Sequence, residues 1–144
     1  MRTLDSIEIK APLEKIFSIS QDYSCRLKWD PFLSSAKLIG DEPNVGAQAQ
    51  CISKFGVGML VEYVSFKPPK VAAVKMIRGP IFLKSFAASW NFEAMESNLS
   101  KVTFCYNFEL TSYFKIFEYL CHLFFASEMR MRLKSLKTFC EIES

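Results

Sequence analysis

The sequence holds one histidine, His122, and only five glycines in its 144 residues. Its five cysteines, Cys25, Cys51, Cys105, Cys121 and Cys140, form no CxxC and no Cys-His pair at metal-ligand spacing. Zinc sites and Cys-His catalysis are therefore not expected. No GxSxG elbow accompanies the single histidine, so a serine-triad hydrolase lacks its usual signature. The glycines of "FGVG" lie between strand-like segments with no helix after them, which excludes phosphate-loop and dinucleotide readings. We expect no cofactor and no metal. The opening "MRTLDSIEIK" has no apolar signal-peptide core. No apolar run reaches the length of a membrane span. The richest, "YFKIFEYLCHLFFA", is broken by Lys115, Glu118 and His122. A cytoplasmic protein with reduced, mostly buried thiols is the expectation. The formal charge of +3 is too small to argue for a nucleic-acid partner. No repeat, low-complexity tract or linker divides the chain, which reads as a single domain over 1–144.

Ring surface is what the sequence has in excess, with fourteen phenylalanines. "TLDSIEIK" alternates like a strand, with Ile7 and Ile9 on one face. "PLEKIFSISQ" follows as a helix opened by Pro12, with Leu13, Ile16 and Phe17 on one side. "DYSCRLKW" predicts a second short helix with Asp22 as its N-cap. "KWDPF" ends that helix, because the residue before a proline is pushed out of helical geometry. Six strands then run from about Ser34 to Thr111, separated by the turn clusters "DEPNVG", "GVG", "KPPK", "RGP" and "ESNLS". The last two strands alternate most clearly. Phe82, Phe86, Ala88, Trp90 and Phe92 share one face, and Val102, Phe104, Tyr106, Phe108 and Leu110 the matching one. Strands greasy on one side and polar on the other form an antiparallel sheet covered on one face.

The cover is a long helix over about Ser112 to Glu141, a stretch without Gly or Pro. Its seam steps by threes and fours through Phe114, Phe117, Cys121, Phe125, Met129, Leu133, Leu136 and Cys140. Arg130, Arg132, Lys134 and Lys137 are read as its solvated basic faces. The N-terminal half carries a second apolar face of Tyr113, Ile116, Leu120, Leu123 and Phe124. The sequence leaves open whether that face meets a loop, a ligand or a partner, or marks a kink near Ser127. The expected architecture is α+β: a curved antiparallel sheet of about seven strands, in the order β-α-α-β6-α, around the C-terminal helix.

In its "IEIKAPLEKIF" opening, "KWDPF" corner, later "VG", "GP" and "SWNF" elements and long last helix, the sequence resembles the START-like (Bet v 1-like, SRPBCC, helix-grip) superfamily. The branch it resembles is that of polyketide cyclase/dehydrase and lipid transport proteins. The resemblance covers nearly the whole chain and implies a hydrophobic pocket between sheet and C-terminal helix. The function this points to is binding or transport of a small hydrophobic ligand, such as a lipid, a sterol-like molecule or a polycyclic aromatic. A polyketide cyclase or dehydratase, or an interaction module using the apolar last helix, is the alternative. Whether the chain is an enzyme is left open, and no catalytic residue is assigned.

The pocket candidates are Trp29, Phe32, Tyr63, Lys84, Phe86, Trp90, Phe104, Tyr106, Phe108, Phe117, Cys121 and Phe125. Alternation puts Lys84 on the inner face, where it would meet an anionic ligand group, unless it lies in solvent at the strand end. Tyr63 and Tyr106 are the other candidates for orienting a ligand. Glu62 and Lys75 raise the same question more weakly. Asp30 reads as a local cap or ion-pair partner, and His122 as solvated or paired on the helix. Transient membrane contact and a homodimer through the C-terminal helix are the macromolecular contacts the sequence leaves open.

Overall fold

The computed structural model describes residues 1–142, so positions 143 and 144 of the expected domain lie outside it. Seven strands form one antiparallel sheet: β1 (Arg2–Ile9), β2 (Leu33–Ile39), β3 (Gln48–Ser53), β4 (Gly58–Lys67), β5 (Val71–Arg78), β6 (Leu83–Glu96) and β7 (Leu99–Leu110). Their order across the sheet is β1-β7-β6-β5-β4-β3-β2. Strands β1 and β2, neighbours in sequence, therefore occupy opposite edges. The chain crosses between them through α1 (Leu13–Gln21) and α2 (Arg26–Trp29).

Each element follows from its residues. Pro12 sits at the entry to α1, which buries Leu13, Ile16, Phe17, Ser20 and Gln21 on one side. Asp22 caps the turn before α2, accepting hydrogen bonds from the Ser24 amide at 2.9 Å and its hydroxyl at 2.6 Å. Gly56 supplies the positive φ, +85°, that the β3–β4 turn needs. Ser53 Oγ closes that turn by accepting from the amides of Phe55 and Val57.

The inner face of the sheet is the one the alternation assigned. Trp90 and Phe92 of β6 and Val102, Phe104 and Tyr106 of β7 are buried against Met129, Leu133, Leu136 and Cys140 of the last helix. That helix, α3 (Glu118–Ile142), is uninterrupted through Ser127. Its C-terminal half is tied to edge strand β1. Arg130 pairs with Asp5 at 3.2 Å, and Lys137 Nζ donates to the Glu8 carbonyl at 2.9 Å. The Glu141 carboxylate accepts from the Lys10 amide at 2.8 Å.

Two expectations about this segment are corrected. Ser112–Phe117 is a 3-10 helix rather than the first turns of α3. Three residues per turn does not hold the phase of a 3.6-residue seam, and Phe117 ends up half-exposed. The basic residues are also not a solvated face. Arg130 and Lys137 bind β1, and Arg132 is buried. Of the four, Lys134 alone is exposed.

Candidate functional site

Over the first half of α3 the helix meets the sheet at β6 and β7, through Phe125, and stands off the strands beyond them. The space between helix and sheet is a cavity of about 370 Å³, within the range of small-molecule sites. Its walls are the inner faces of β3 to β7, including Met59, Val61, Ala72, Val74, Phe86, Ala88, Trp90 and Phe104, with Phe124 and Phe125 of α3 opposite. Small residues make the room. Ala72 faces Trp90 across the β5–β6 register, and Ala88 faces Tyr106 across β6–β7. Rings of full size at both alanines would close the gap.

The wall on the β6–β7 side is built of rings packed on rings. Trp90 and Phe104 stack with centroids 3.7 Å apart and planes at 13°. Trp29 abuts Trp90 edge-on at 6.1 Å from behind. Phe125 packs on Phe86, Tyr106 and Phe108. At the mouth, Phe32, Phe55 and Phe124 form a ring triangle with centroids 6.1 to 6.4 Å apart. Phe55 stands on the β3–β4 turn and Phe124 on the first part of α3, so their separation sets the opening.

One end of the cavity is polar. Asp30 is buried, and its Oδ2 accepts from Arg26 Nε at 2.9 Å and Arg132 Nη2 at 2.8 Å. Its Oδ1 accepts from the Phe32 amide at 3.0 Å. Burial alone would raise this carboxyl, but Arg132 and Arg26 outweigh that and hold it at about 2. Arg132 continues the network. Its Nη1 donates to Tyr106 OH at 2.6 Å and to Glu128 Oε2 at 3.3 Å. Tyr106 OH in turn donates to Glu128 Oε1 at 2.5 Å. For Glu128 the balance reverses, and burial pushes its carboxyl up despite Arg132 and Tyr106. Burial likewise drives the Tyr106 phenol well up, so it stays a neutral donor. A second chain of bonds lies beside it. Tyr63 OH donates to Gln21 Oε1 at 2.8 Å, which leaves Tyr23 OH to donate to Tyr63 at 2.9 Å.

Of the sequence candidates, Phe32, Tyr63, Phe86, Trp90, Phe104, Tyr106 and Phe125 line the cavity. Trp29 stands one layer behind it. Phe108 and Cys121 do not line it; they pack with Leu83 and Leu110 in a second cluster under the start of α3, which adjoins the cavity wall through Leu83, Phe86 and Phe125. Phe117 lies outside for the helical-phase reason given above. Lys84 is corrected outright. The β6–β7 register shifts between Leu83 and Ser85, so Lys84 is the extra residue of a bulge and alternation resets there. Its side chain is 67% exposed and pairs with Glu109 at 3.1 Å. Glu62 and Lys75 oppose each other across β4–β5 and do not reach the cavity. His122 is engaged too, its Nδ1 lying 2.7 Å from Thr3 Oγ1.

The polar group the sequence reading missed comprises Arg26, Glu128 and Arg132. One signal was present. Counted at about 100° per residue, Arg132 falls between Cys121 and Phe125, inside the apolar seam rather than beside it. Glu128 lies one helical turn before Arg132 on the same side.

A curled antiparallel sheet gripping a long C-terminal helix, with an apolar cavity between them, defines the helix-grip class of α+β proteins. The chain belongs to the polyketide cyclase/dehydrase and lipid transport family, whose profile matches residues 2–141. No curated protein matches the chain. Among solved structures it is similar to the protein XoxI from Bacillus cereus, with a TM-score of 0.80 and 18% identity over 99% of this chain and 98% of that one. It is similar to the Zhui aromatase/cyclase from a Streptomyces species, with a TM-score of 0.82 and 10% identity over 98% and 93% of the two chains. Norcoclaurine synthase from Thalictrum flavum, solved with a transition-state analogue, gives a TM-score of 0.76 and 12% identity over 100% and 96%. At these identities the likeness is one of fold. Family and fold together support a hydrophobic ligand-binding domain.

Proposed function

We propose that this protein binds one small, largely apolar molecule in the sheet–helix cavity and holds it for transfer or presentation. The observation that carries this reading is the cavity itself, about 370 Å³ walled almost wholly by rings and aliphatic side chains. Affinity comes from removing ligand apolar surface from water, roughly 25 cal/mol per Å² before ordering costs. The ring triangle at the mouth is the gate. Around it Tyr113, Ile116, Leu120 and Leu123 leave an apolar rim exposed, which suits an exchange of ligand with a membrane or carrier during brief contact.

The cyclase-type alternative needs an acid or base presented to the cavity. The lining groups of that kind are Glu128, Tyr106, Tyr63, Tyr23 and Cys51. Glu128 and Tyr106 are engaged by each other and by Arg132, Tyr63 and Tyr23 by each other and by Gln21, and burial holds the Cys51 thiol up. Binding without chemistry is the reading favoured by that engagement.

Native mass spectrometry of the purified protein tests the proposal by looking for a co-purified small molecule. In parallel, Ala88→Leu fills the cavity from the wall. We expect the variant to fold and to lose most affinity for an apolar fluorescent probe such as 1-anilinonaphthalene-8-sulfonate. A folded Ala88→Leu with unchanged affinity, and no co-purified ligand, overturns the reading.

A further inference from the structure

The polar end of the cavity brings two buried guanidinium groups to one carboxylate oxygen. Arg26 and Arg132 both donate to Asp30 Oδ2. The other Asp30 oxygen is taken by the Phe32 amide. Arg132 has a second carboxyl beside it, Glu128, and a phenol, Tyr106. Arg26 has neither. It spends Nε on Asp30 and Nη1 on the Ser20 carbonyl at 3.2 Å, and no described residue accepts from its Nη2. Its side chain is 9% exposed, and it lines the cavity. A desolvated guanidinium with uncommitted donors is costly unless an acceptor reaches it. Asp30 and Glu128 already face the two guanidiniums, so what Arg26 still lacks is an acceptor for its free donor, and a ligand oxygen in the cavity would supply it. A carboxylate suits a planar guanidinium best, while a phosphate dianion would need more donors than this end leaves free.

Building on the ligand-binding reading above, we infer that the ligand is an apolar acid whose single carboxylate docks on Arg26, with its apolar body lying along Trp90, Phe104 and Phe86 toward the mouth. Arg132 supports this from the side. Its guanidinium lies over the rings of Phe104 and Phe32 at 5.3 and 5.5 Å, which fixes the edge of the docking site.

The test is calorimetric titration of two matched probes at pH 8, 1-naphthaleneacetate and its primary amide. Wild-type protein should bind the acid about tenfold or more tightly than the amide. Arg26→Gln should bring the acid down to the amide's affinity and leave the amide unchanged. Arg26→Lys, which keeps the charge Asp30 needs, should fold in any case and reduce the preference several-fold by removing the planar fork. Equal binding of both probes to wild type overturns the inference while the cavity reading stands. Failure of both probes to bind overturns both. A preference that survives in Arg26→Lys and Arg26→Gln at full strength removes Arg26 from the site.

Discussion

At the scale of single residues, Asp30 and Glu128 are two buried carboxyls on one arginine with opposite responses to pH. Asp30 titrates at about 2 when folded, below the ordinary 3.8. Its stabilising contribution, on the order of 2 kcal/mol, is therefore full above about pH 4 and lost as pH falls toward 2. Asp30→Asn strips both arginines of their shared charge and should destabilise the protein by about 3 kcal/mol at pH 7, read by urea unfolding. A loss under about 1 kcal/mol would mean the guanidiniums are satisfied elsewhere. The folded Glu128 carboxyl is raised instead, so the folded state holds its proton to higher pH than the unfolded chain does. Wild type should then gain on Glu128→Gln as pH falls from neutral toward 4.5. Melting temperatures of the two proteins across that range check this, and a gap that widens with rising pH contradicts it.

At the scale of elements, α3 is two different objects in one helix. Below Ser127 it is core, fixed by Met129, Leu133, Leu136 and Cys140 and tied to β1 by Arg130 and Lys137. Above it, Leu120, Leu123 and Phe124 are exposed, and the preceding 3-10 turn carries Tyr113 at 94% exposure. Phe124 touches the fold chiefly through rings at the mouth. Phe124→Ala should cost under about 1 kcal/mol in stability, since a half-exposed ring buries little. It should speed release of a bound fluorescent probe several-fold in stopped-flow displacement. An unchanged off-rate would place the gate elsewhere.

At the scale of the whole molecule, burial is graded from one end to the other. The end built from α1, β1 and lower α3 is densely packed, while the end with the β3–β4 turn, the β5–β6 turn and upper α3 surrounds space. Local opening free energy follows buried contact. Amide exchange should be slowest in β6, β7 and residues 129–140 and fastest in residues 112–124, with apolar ligand slowing the second set most. Uniform protection along α3 would show that the cavity end is as stable as the core.

Sequence alone determined the strands, their turns and the inner face of β6 and β7, because period-two alternation and turn chemistry are local properties of the chain. It also determined that α3 covers the sheet, through a seam that holds from Phe125 to Cys140. "KWDPF" was legible as a corner, but both its rings were read as pocket wall, and only the packing put Phe32 at the cavity and Trp29 behind it. Tertiary structure decided the rest. One bulge residue turned Lys84 outward, and alternation cannot signal an insertion that depends on the partner strand's register. A 3-10 turn moved Phe117 out of phase with the seam. Arg26, Asp30, Glu128 and Arg132 converge from segments as far as 106 positions apart in the sequence. Only the closing of the sheet around the helix brings them together, and local pattern carries no information about which distant charge will offset the cost of burying another.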